Sequence, residues 1–176
     1  QDLVNGTKKT RIFTPKPKHY LSFSTVTTFR IRMEIRPFQE GEKPILLALW
    51  EASVRATHDF LAPMDFEKIK AMLQDFDFSC ISVFGLWEES RLLGFLGGHE
   101  GKLEMLFIHP EERQKGYGKL LVAFALRELN IHSLDVNEQN VQAFGFYTSL
   151  GFTVQARSAL DSMGLPYPIL HLKKTH

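Results

Sequence analysis

Apolar and polar residues alternate along this chain with two different periods. The segment 43–58 has its apolar side chains at helical spacing, on Ile45, Leu46, Leu49, Trp50 and Val54. Short apolar runs bounded by polar turns indicate strands instead. The pattern predicts four helices, at 43–58, 65–76, 118–129 and 140–150. It predicts seven strands, at 34–37, 81–87, 91–98, 102–108, 132–136, 152–157 and 167–172.

Two local features refine this pattern. The polar turn 88–90 between two predicted strands indicates a β-hairpin. In the helix predicted at 65–76, Ile69, Met72 and Leu73 are expected to face inward. Helices and strands are therefore interleaved, which favours a mixed α/β (α+β) fold.

Length and composition indicate one domain with a single sizeable core. The chain has 176 residues, of which 44% are hydrophobic and 23% charged. Its one cysteine, Cys80, precedes an apolar run, so we expect a buried structural thiol and a reducing, cytoplasmic environment. No apolar run approaches 18 residues, so no membrane span is predicted.

The net charge of +1 conceals an asymmetry between two segments. Residues 1–32 contain seven Lys and Arg and one Asp, whereas residues 33–176 contain 14 Lys and Arg and 19 Asp and Glu. Met33 is the first methionine of the chain. We therefore expect a native start at Met33, with 1–32 as vector-derived or read-through sequence and 33–176 as the domain. A basic arm that contacts nucleic acid is the alternative for 1–32.

Residues 113–118, Arg-Gln-Lys-Gly-Tyr-Gly, form a basic segment that we call the glycine loop. A helix that begins here has unpaired backbone N–H groups and the positive end of its dipole at the same point. The two glycines lack a Cβ and let the backbone approach a bulky anion. Arg113, Lys115 and Lys119 add positive charge. The loop is therefore predicted to hold a phosphate or pyrophosphate.

Two common phosphate-binding motifs fit the glycine loop poorly. A P-loop requires a first glycine and a hydroxyl after its lysine, but Arg113 and Leu120 occupy those positions. The dinucleotide motif requires a third glycine where Leu121 stands. Without the hydroxyl a magnesium ligand is missing, which disfavours nucleoside triphosphate chemistry. A glycine-rich turn that only leads into a core helix stays open as an alternative.

The glycine loop resembles the coenzyme A loop of the GNAT superfamily of N-acetyltransferases, Gln/Arg-x-x-Gly-x-Gly/Ala, at every fixed position. Residues 140–152 resemble the other signature of that family, Asn-x-x-Ala-x-x-Phe-Tyr-x-x-x-Gly-Phe. Asn140 suits a helix N-cap, and Gly151 suits the position after the last turn. With a predicted strand between the two motifs, the chain is similar to small single-domain bacterial members of the superfamily.

The resemblance implies a mixed, strongly bent sheet with splayed central strands, flanked by about four helices. Acetyl-CoA would lie in the split, its pantetheine paired with the backbone of Leu106 and Ile108 and its pyrophosphate on the glycine loop. The residues implied in cosubstrate binding are Leu106, Phe107, Ile108, Arg113, Gln114, Lys115, Gly116, Tyr117, Gly118, Lys119, Asn140 and Tyr147. No His/Cys/Asp cluster has metal-ligand spacing, so no metal is expected.

The resemblance also implies two catalytic residues. Tyr147 stands where the family commonly places its general acid, which protonates the departing thiolate, although a tyrosine packed in the core is the alternative. Glu104 lies on the fourth strand, where several members carry an acidic residue that points toward the acceptor, and is the candidate base. A solvated carboxylate is the alternative for Glu104. His99 and His109 are further candidates for the base.

Glu111 and Glu112 are expected only to solvate the loop. The acceptor would lie among residues of the first two helices and the last connection, which here are Trp50, His58, Phe60, Phe66 and Tyr167, several of them expected in the core.

These features predict an acetyl-CoA-dependent N-acetyltransferase that acts on a primary amine by direct attack in a ternary complex. The acceptor would be a small-molecule or peptide amine rather than a nucleic acid, and the protein a monomer or homodimer. A non-catalytic acyl-CoA-binding module of the same fold is the alternative.

Overall fold

The computed structural model describes residues 32–174. The prediction about residues 1–32 therefore concerns a segment that, Arg32 apart, lies outside the described residues. The strands are β1 (Met33–Pro37), β2 (Ser82–Glu88), β3 (Arg91–His99), β4 (Lys102–Ile108), β5 (Ser133–Asn137), β6 (Phe152–Ser158) and β7 (Ile169–Lys174). The α-helices are α1 (Lys43–Arg55), α2 (Pro63–Asp75), α3 (Tyr117–Glu128) and α4 (Val141–Ser149). Every predicted element is present, and its ends shift by at most three residues.

The seven strands form one sheet with the order β1-β2-β3-β4-β5-β7-β6. β1 to β4 pair antiparallel with their neighbours, and β5, β7 and β6 form a second antiparallel group. β4 and β5 run parallel and pair only at Lys102–Ser133 and Leu103–Leu134. Beyond Leu103 the two strands separate, which confirms the splayed central strands.

Two apolar clusters cover the two faces of the sheet. On one face, α3 and α4 pack through residues such as Leu121 and Tyr147. On the other face, α1 and α2 pack through residues such as Trp50 and Phe66. β4 contributes to both clusters, because side chains alternate along a strand. The opening between β4 and β5 therefore lies between the two helical layers.

β4 contains an irregularity at Glu104. Gly97 pairs with Met105 and Gly98 with Leu103, so Glu104 has no partner in register on β3. Such an extra residue is a β-bulge, which bends a strand and redirects a side chain. The bulge follows directly on the last β4–β5 pair, so Glu104 lies where the split begins.

Two apolar residues at helical spacing, Ile45 and Met72, do not face the core, and the inward prediction for Met72 is wrong. Ile45 is 47% exposed and Met72 is 46% exposed. Each lies one residue before a buried leucine of its helix, Leu46 and Leu73 respectively. One residue corresponds to a rotation of about 100° around the helix axis, so both side chains turn away from the sheet.

The prediction for Cys80 is also wrong, because its side chain is exposed. Cys80 ends the short 3-10 turn Phe78–Cys80, before β2 begins, and its Sγ lies 2.9 Å from the Asp77 carbonyl oxygen. The apolar run that suggested burial belongs to the strand, whereas the cysteine belongs to the turn.

Candidate functional site

The edge of β4 that faces the split carries unpaired backbone groups. The His109 N–H donates to the Leu93 carbonyl at 2.9 Å. Backbone groups alternate in direction along an antiparallel pair, so Phe107, opposite Phe95, also turns toward β3. Leu106 and Ile108 then turn their N–H and C=O groups toward the split, where β5 offers no residue in register. This edge can accept one more strand-like partner.

The glycine loop leads into the first turn of α3. Gly116 is the N-cap residue with a φ of 89°, a left-handed conformation that favours glycine. The Leu120 N–H donates to the Gly116 carbonyl at 3.1 Å. The preceding N–H groups, of Tyr117, Gly118 and Lys119, have no carbonyl one turn earlier in the helix. They form a set of donors at the positive end of the helix dipole.

The two loop glycines have different structural roles. A Cβ on Gly116 would meet nothing within 4 Å, so the backbone angle rather than space requires glycine there. A Cβ on Gly118 would lie 3.2 Å from the ring of Phe146. Gly118 therefore lets α3 approach α4 closely. Phe146 also contacts the ring of Tyr147, with 5.2 Å between ring centroids.

The charge of Lys115 is compensated within the loop region. Its Nζ donates to Glu112 at 2.9 Å, and Arg91 donates to the other oxygen of the same carboxylate. Glu112 is buried, so the expectation that it only solvates the loop is wrong, whereas Glu111 is exposed. The hydrogen bond from Lys115, together with that from Arg91, lowers the pKa of Glu112 against the effect of burial.

Arg113 points its side chain toward α1. Its guanidinium donates to the carbonyl oxygen of Ser53 at 3.1 Å and lies 3.3 Å from the Ser53 hydroxyl. This contact holds the start of the glycine loop against the last turn of α1, where helix carbonyls are partly negative. Lys119 is exposed and forms no ion pair with a described residue. The loop thus presents more backbone donors than free cations.

Tyr147 lies on α4 with its side chain buried. Its ring packs edge-on against Phe146 and Phe152, at centroid distances of 5.2 and 6.0 Å. Burial raises the pKa of Tyr147, because the phenolate would lose its hydration. The same apolar cluster includes the β4 residues Leu106 and Ile108. A protonated phenol therefore belongs to the layer that lines one side of the split.

Glu104 stands at one end of a row of polar side chains across β4, β5, β7 and β6. Lys102 Nζ lies 3.3 Å from Glu104 and 3.0 Å from Asp135. Asp135 lies 2.6 Å from Nδ1 of His171, whose Nε2 lies 2.7 Å from the Ser158 hydroxyl. The row spans the base of the split, so Lys102 ties the two halves of the sheet together where they separate.

Asn140 and His109 each make a local hydrogen bond within their own turn. The Asn140 side chain accepts from the Ala143 N–H at 3.0 Å, which makes it the N-cap of α4 as the sequence predicts. His109 Nδ1 accepts from the Glu111 N–H in its own turn. His99 is exposed beside Glu100. Neither histidine has a contact that ties it to the split.

The acceptor-side candidates divide into two groups. Trp50 and Phe66 are buried and stack at 5.5 Å, so they belong to the core. Tyr167 is also buried, but its hydroxyl accepts from the Ala62 N–H at 3.0 Å and donates to Asp65 at 2.8 Å. This clamp joins the β6–β7 connection to the α1–α2 connection. The clamp therefore brings together, on the candidate acceptor side, two segments that are far apart in sequence.

His58 and Phe60 complete the α1–α2 connection. The ring of Phe60 lies 6.3 Å from that of Tyr167 and 5.2 Å from that of His58. His58 Nδ1 lies 2.8 Å from the Thr57 hydroxyl, which donates to the Ser53 carbonyl. Burial, and then the charge of Arg113, lower the pKa of His58. Ser53 and Thr57 could not be predicted from the sequence, because nothing there distinguishes them from ordinary helix residues.

A cavity of about 770 Å³ lies away from these residues. Its lining includes Phe38, Lys43, Leu46, Phe76, Phe78 and Phe84. The cavity adjoins the first turn of α1, whereas the glycine loop contacts the last turn through Ser53. We therefore place the functional site at the split and not in this cavity.

Two further findings concern membrane spans and metal sites among the described residues. No helix between residues 32 and 174 is long and apolar enough to cross a membrane. No group of three or more His, Cys, Asp or Glu side chains in the same range is arranged to hold a metal ion.

Comparisons with known proteins agree with the geometry. A family model described as an acetyltransferase (GNAT) domain matches residues 51–167. The peptidyl-lysine N-acetyltransferase YjaB of Salmonella typhimurium is 40% identical over 134 residues, which cover 76% of this chain and 91% of that protein. The solution structure of apo YjaB from Escherichia coli superposes with a TM-score of 0.75 at 35% identity, over 81% of this chain and 97% of that one.

A more distant structure has the same fold and contains coenzyme A. The PaiA N-acetyltransferase from Thermoplasma acidophilum, in complex with coenzyme A, has a TM-score of 0.58 at 23% identity and covers 81% of this chain and 99% of its own. The relatives are acetyltransferases, so the non-catalytic alternative is set aside. The chain belongs to the GNAT family and is an acetyl-CoA-dependent N-acetyltransferase.

Proposed function

We propose that this enzyme acetylates the side-chain amine of lysine in peptides or proteins, by direct attack on acetyl-CoA within a ternary complex. The observation that carries the mechanism is Tyr147, a buried phenol in the cluster that lines the free edge of β4. The names of the 40%-identical relatives support the choice of lysine. The acidic balance of residues 33–176 favours a cationic acceptor of this kind.

The cosubstrate would bind mainly through backbone groups. The pantetheine arm fits the unpaired groups of Leu106 and Ile108, on either side of Phe107, as an added strand would. The pyrophosphate fits the N–H groups from Gln114 to Lys119 at the start of α3, where Gly116 leaves open space. Lys119 is the cation best placed to assist, because Lys115 is paired with Glu112.

Tyr147 supplies the proton that the departing thiolate needs. A lysine ammonium has a pKa near 10.4, so only about one amine in 10³ is nucleophilic at pH 7 and a proton must first be removed. After attack the C–S bond breaks and the sulfur takes a proton. A phenol whose pKa is raised by burial keeps that proton until the sulfur becomes a strong acceptor.

Glu104 is proposed to face the acceptor amine. The β-bulge places this carboxylate at the base of the split, where Lys102 contacts it at 3.3 Å. A carboxylate there attracts an ammonium, and the resemblance to the family implies an acidic residue at the same position.

The test is thiol release from acetyl-CoA with a matched set of acceptors. The set comprises a peptide with a blocked N-terminus and one lysine, the same peptide with arginine in its place, a free-N-terminus peptide without lysine, and spermidine. We expect release, and acetylation seen by mass spectrometry, only with the lysine peptide. Turnover with spermidine or the free α-amine alone would assign a different acceptor.

A further inference from the structure

We propose that His58 is the base that removes the proton from the acceptor ammonium, and that Glu104 attracts the ammonium without taking its proton. The inference rests on the proposed lysine acetylation. Burial, tautomer and position each support it, and apart from Arg113 the residues concerned lie outside the two family-like segments.

The hydrogen bonds around His58 determine its tautomer. The Thr57 hydroxyl has one hydrogen, and it donates that hydrogen to the Ser53 carbonyl at 2.8 Å. The same oxygen lies 2.8 Å from Nδ1 of His58 and can only accept there. Nδ1 therefore carries the imidazole proton. Nε2 then has a free lone pair, which is the state a general base requires.

The surroundings keep this imidazole neutral. His58 is half-buried in the α1–α2 connection, and its charged form would lose hydration there. The positive charge of Arg113 in the glycine loop disfavours protonation of His58, whereas the Val54 carbonyl and Asp59 favour it. Burial and Arg113 outweigh those two, so the pKa of His58 is lowered. A neutral base is then available at pH 7.

His58 lies where the two halves of the site meet. Arg113 binds Ser53 one turn before His58, which brings the glycine loop to this end of α1. On its other side His58 contacts Phe60, which packs against Tyr167 of the clamp. Glu104 instead is exposed and held by Lys102. The imidazole is therefore placed between cosubstrate and acceptor sides.

The proton balance is complete with these groups. The ammonium loses its first proton to Nε2 of His58, and the resulting imidazolium returns it to solvent. The free amine attacks the thioester carbon, the C–N bond forms and the C–S bond breaks. Tyr147 donates its proton to the sulfur and becomes a phenolate. The nitrogen then loses its second proton to this phenolate, which restores the phenol. The products are the amide, the CoA thiol and one proton in solvent.

The first experiment compares His58→Asn with His132→Asn. Asparagine places an N–H donor near the position of Nδ1, so the contact with Thr57 is kept while the base is lost. We expect kcat at pH 7 to fall about 10²-fold, the KM for acetyl-CoA to stay unchanged, and the acidic limb of the pH profile to disappear. His132 is exposed directly before β5, has no role in the proposed site and should stay near wild type. Near-wild-type kcat in His58→Asn would overturn the inference.

Thr57 is a positioning residue, and its test includes a rescue. Thr57→Val removes the acceptor for Nδ1–H and should lower kcat about tenfold with a shifted acidic limb. Thr57→Ser keeps the hydroxyl and should restore both. A loss in Thr57→Ser equal to that in Thr57→Val would contradict the role of the hydroxyl.

A spectroscopic test separates this inference from the choice of acceptor. Nitrogen-15 NMR of the free enzyme reports which ring nitrogen of His58 carries the proton. We expect Nδ1–H, and an Nε2–H tautomer would overturn the proposal whatever the acceptor is. If lysine peptides are not acetylated but another amine is, the kinetic comparison with that amine still decides the role of His58.

Discussion

The two halves of the proposed site differ in the chemical groups that form them. The cosubstrate half consists of backbone: the free edge of β4 and the first N–H groups of α3. The acceptor half consists of side chains: the Tyr167 clamp to Ala62 and Asp65, and the contact of Thr57 with His58. Backbone groups are the same in every sequence, so the cosubstrate half can keep binding one ligand. The side chains of the acceptor half can change with the acceptor.

Tyr147 lies between the two halves, and its removal should have the largest effect. Tyr147→Phe keeps the ring packing against Phe146 and Phe152 but removes the donor for the thiolate. We expect kcat to fall about 10²-fold to 10⁴-fold, with the dissociation constant of acetyl-CoA unchanged. Steady-state kinetics and calorimetric titration measure the two quantities. Undiminished turnover would remove Tyr147 from the mechanism.

Gly116→Ala tests the backbone half. An alanine at a φ of 89° is strained by about 1–2 kcal/mol, so the loop should shift its N–H groups. We expect the dissociation constant of acetyl-CoA to rise about tenfold. Gly164→Ala is the matched control, because Gly164 has a φ of 75° and equally open space but lies outside the loop. Equal losses in both variants would mean that the loop has no special role.

Tyr167→Phe tests the side-chain half. The change removes the hydroxyl that joins the Ala62 N–H to Asp65, while the ring stays. A net hydrogen bond contributes about 0.5–1.5 kcal/mol, so the KM for a lysine peptide should rise about threefold. The acetyl-CoA dissociation constant should not move. A rise in that constant alone would show that the two halves are not separate.

Glu112 should have the smallest effect on catalysis, because in our proposal it stabilises the loop without touching a ligand. Glu112→Gln should lower the free energy of unfolding at pH 7, because it removes the charge that pairs with Arg91 and Lys115. The loss should be only about 1–2 kcal/mol, since these two side chains are half-exposed and solvent partly screens the pairing.

The folded pKa of Glu112 is lowered from the ordinary 4.5, so its stabilisation is present above that value and is lost as the pH falls through the folded pKa. Thermal unfolding of both proteins between pH 7 and pH 3 should therefore converge at low pH. A pH-independent difference would contradict the role of the charge.

The same division explains what the sequence could predict. The glycine loop, the Asn140 cap and the order of elements depend on local patterns, and the structure has each of them. The contacts of Arg113 with Ser53 and of Tyr167 with Asp65 join residues 60 and 102 positions apart. No local pattern records such contacts, since they arise only when the sheet and helices have packed.

Burial was hardest to predict at element ends. Glu112 is covered by Arg91 from a distant strand, whereas Cys80 falls just outside the strand that would have buried it. Both cases depend on the placement of a single residue relative to an end that sequence patterns locate only within a few positions. Met72 is a further case, because it lies inside α2 and is nevertheless exposed.

The two strand groups share only two residue pairs, Lys102–Ser133 and Leu103–Leu134. The sheet therefore consists of two strand groups with a short common seam, and the amides of Leu106 and Ile108 are not held by β5. Hydrogen exchange at these two amides should be fast without ligand and slow when the pantetheine bridges the seam. In our proposal the cosubstrate therefore takes the place of a strand, and the sheet would be completed each time acetyl-CoA binds.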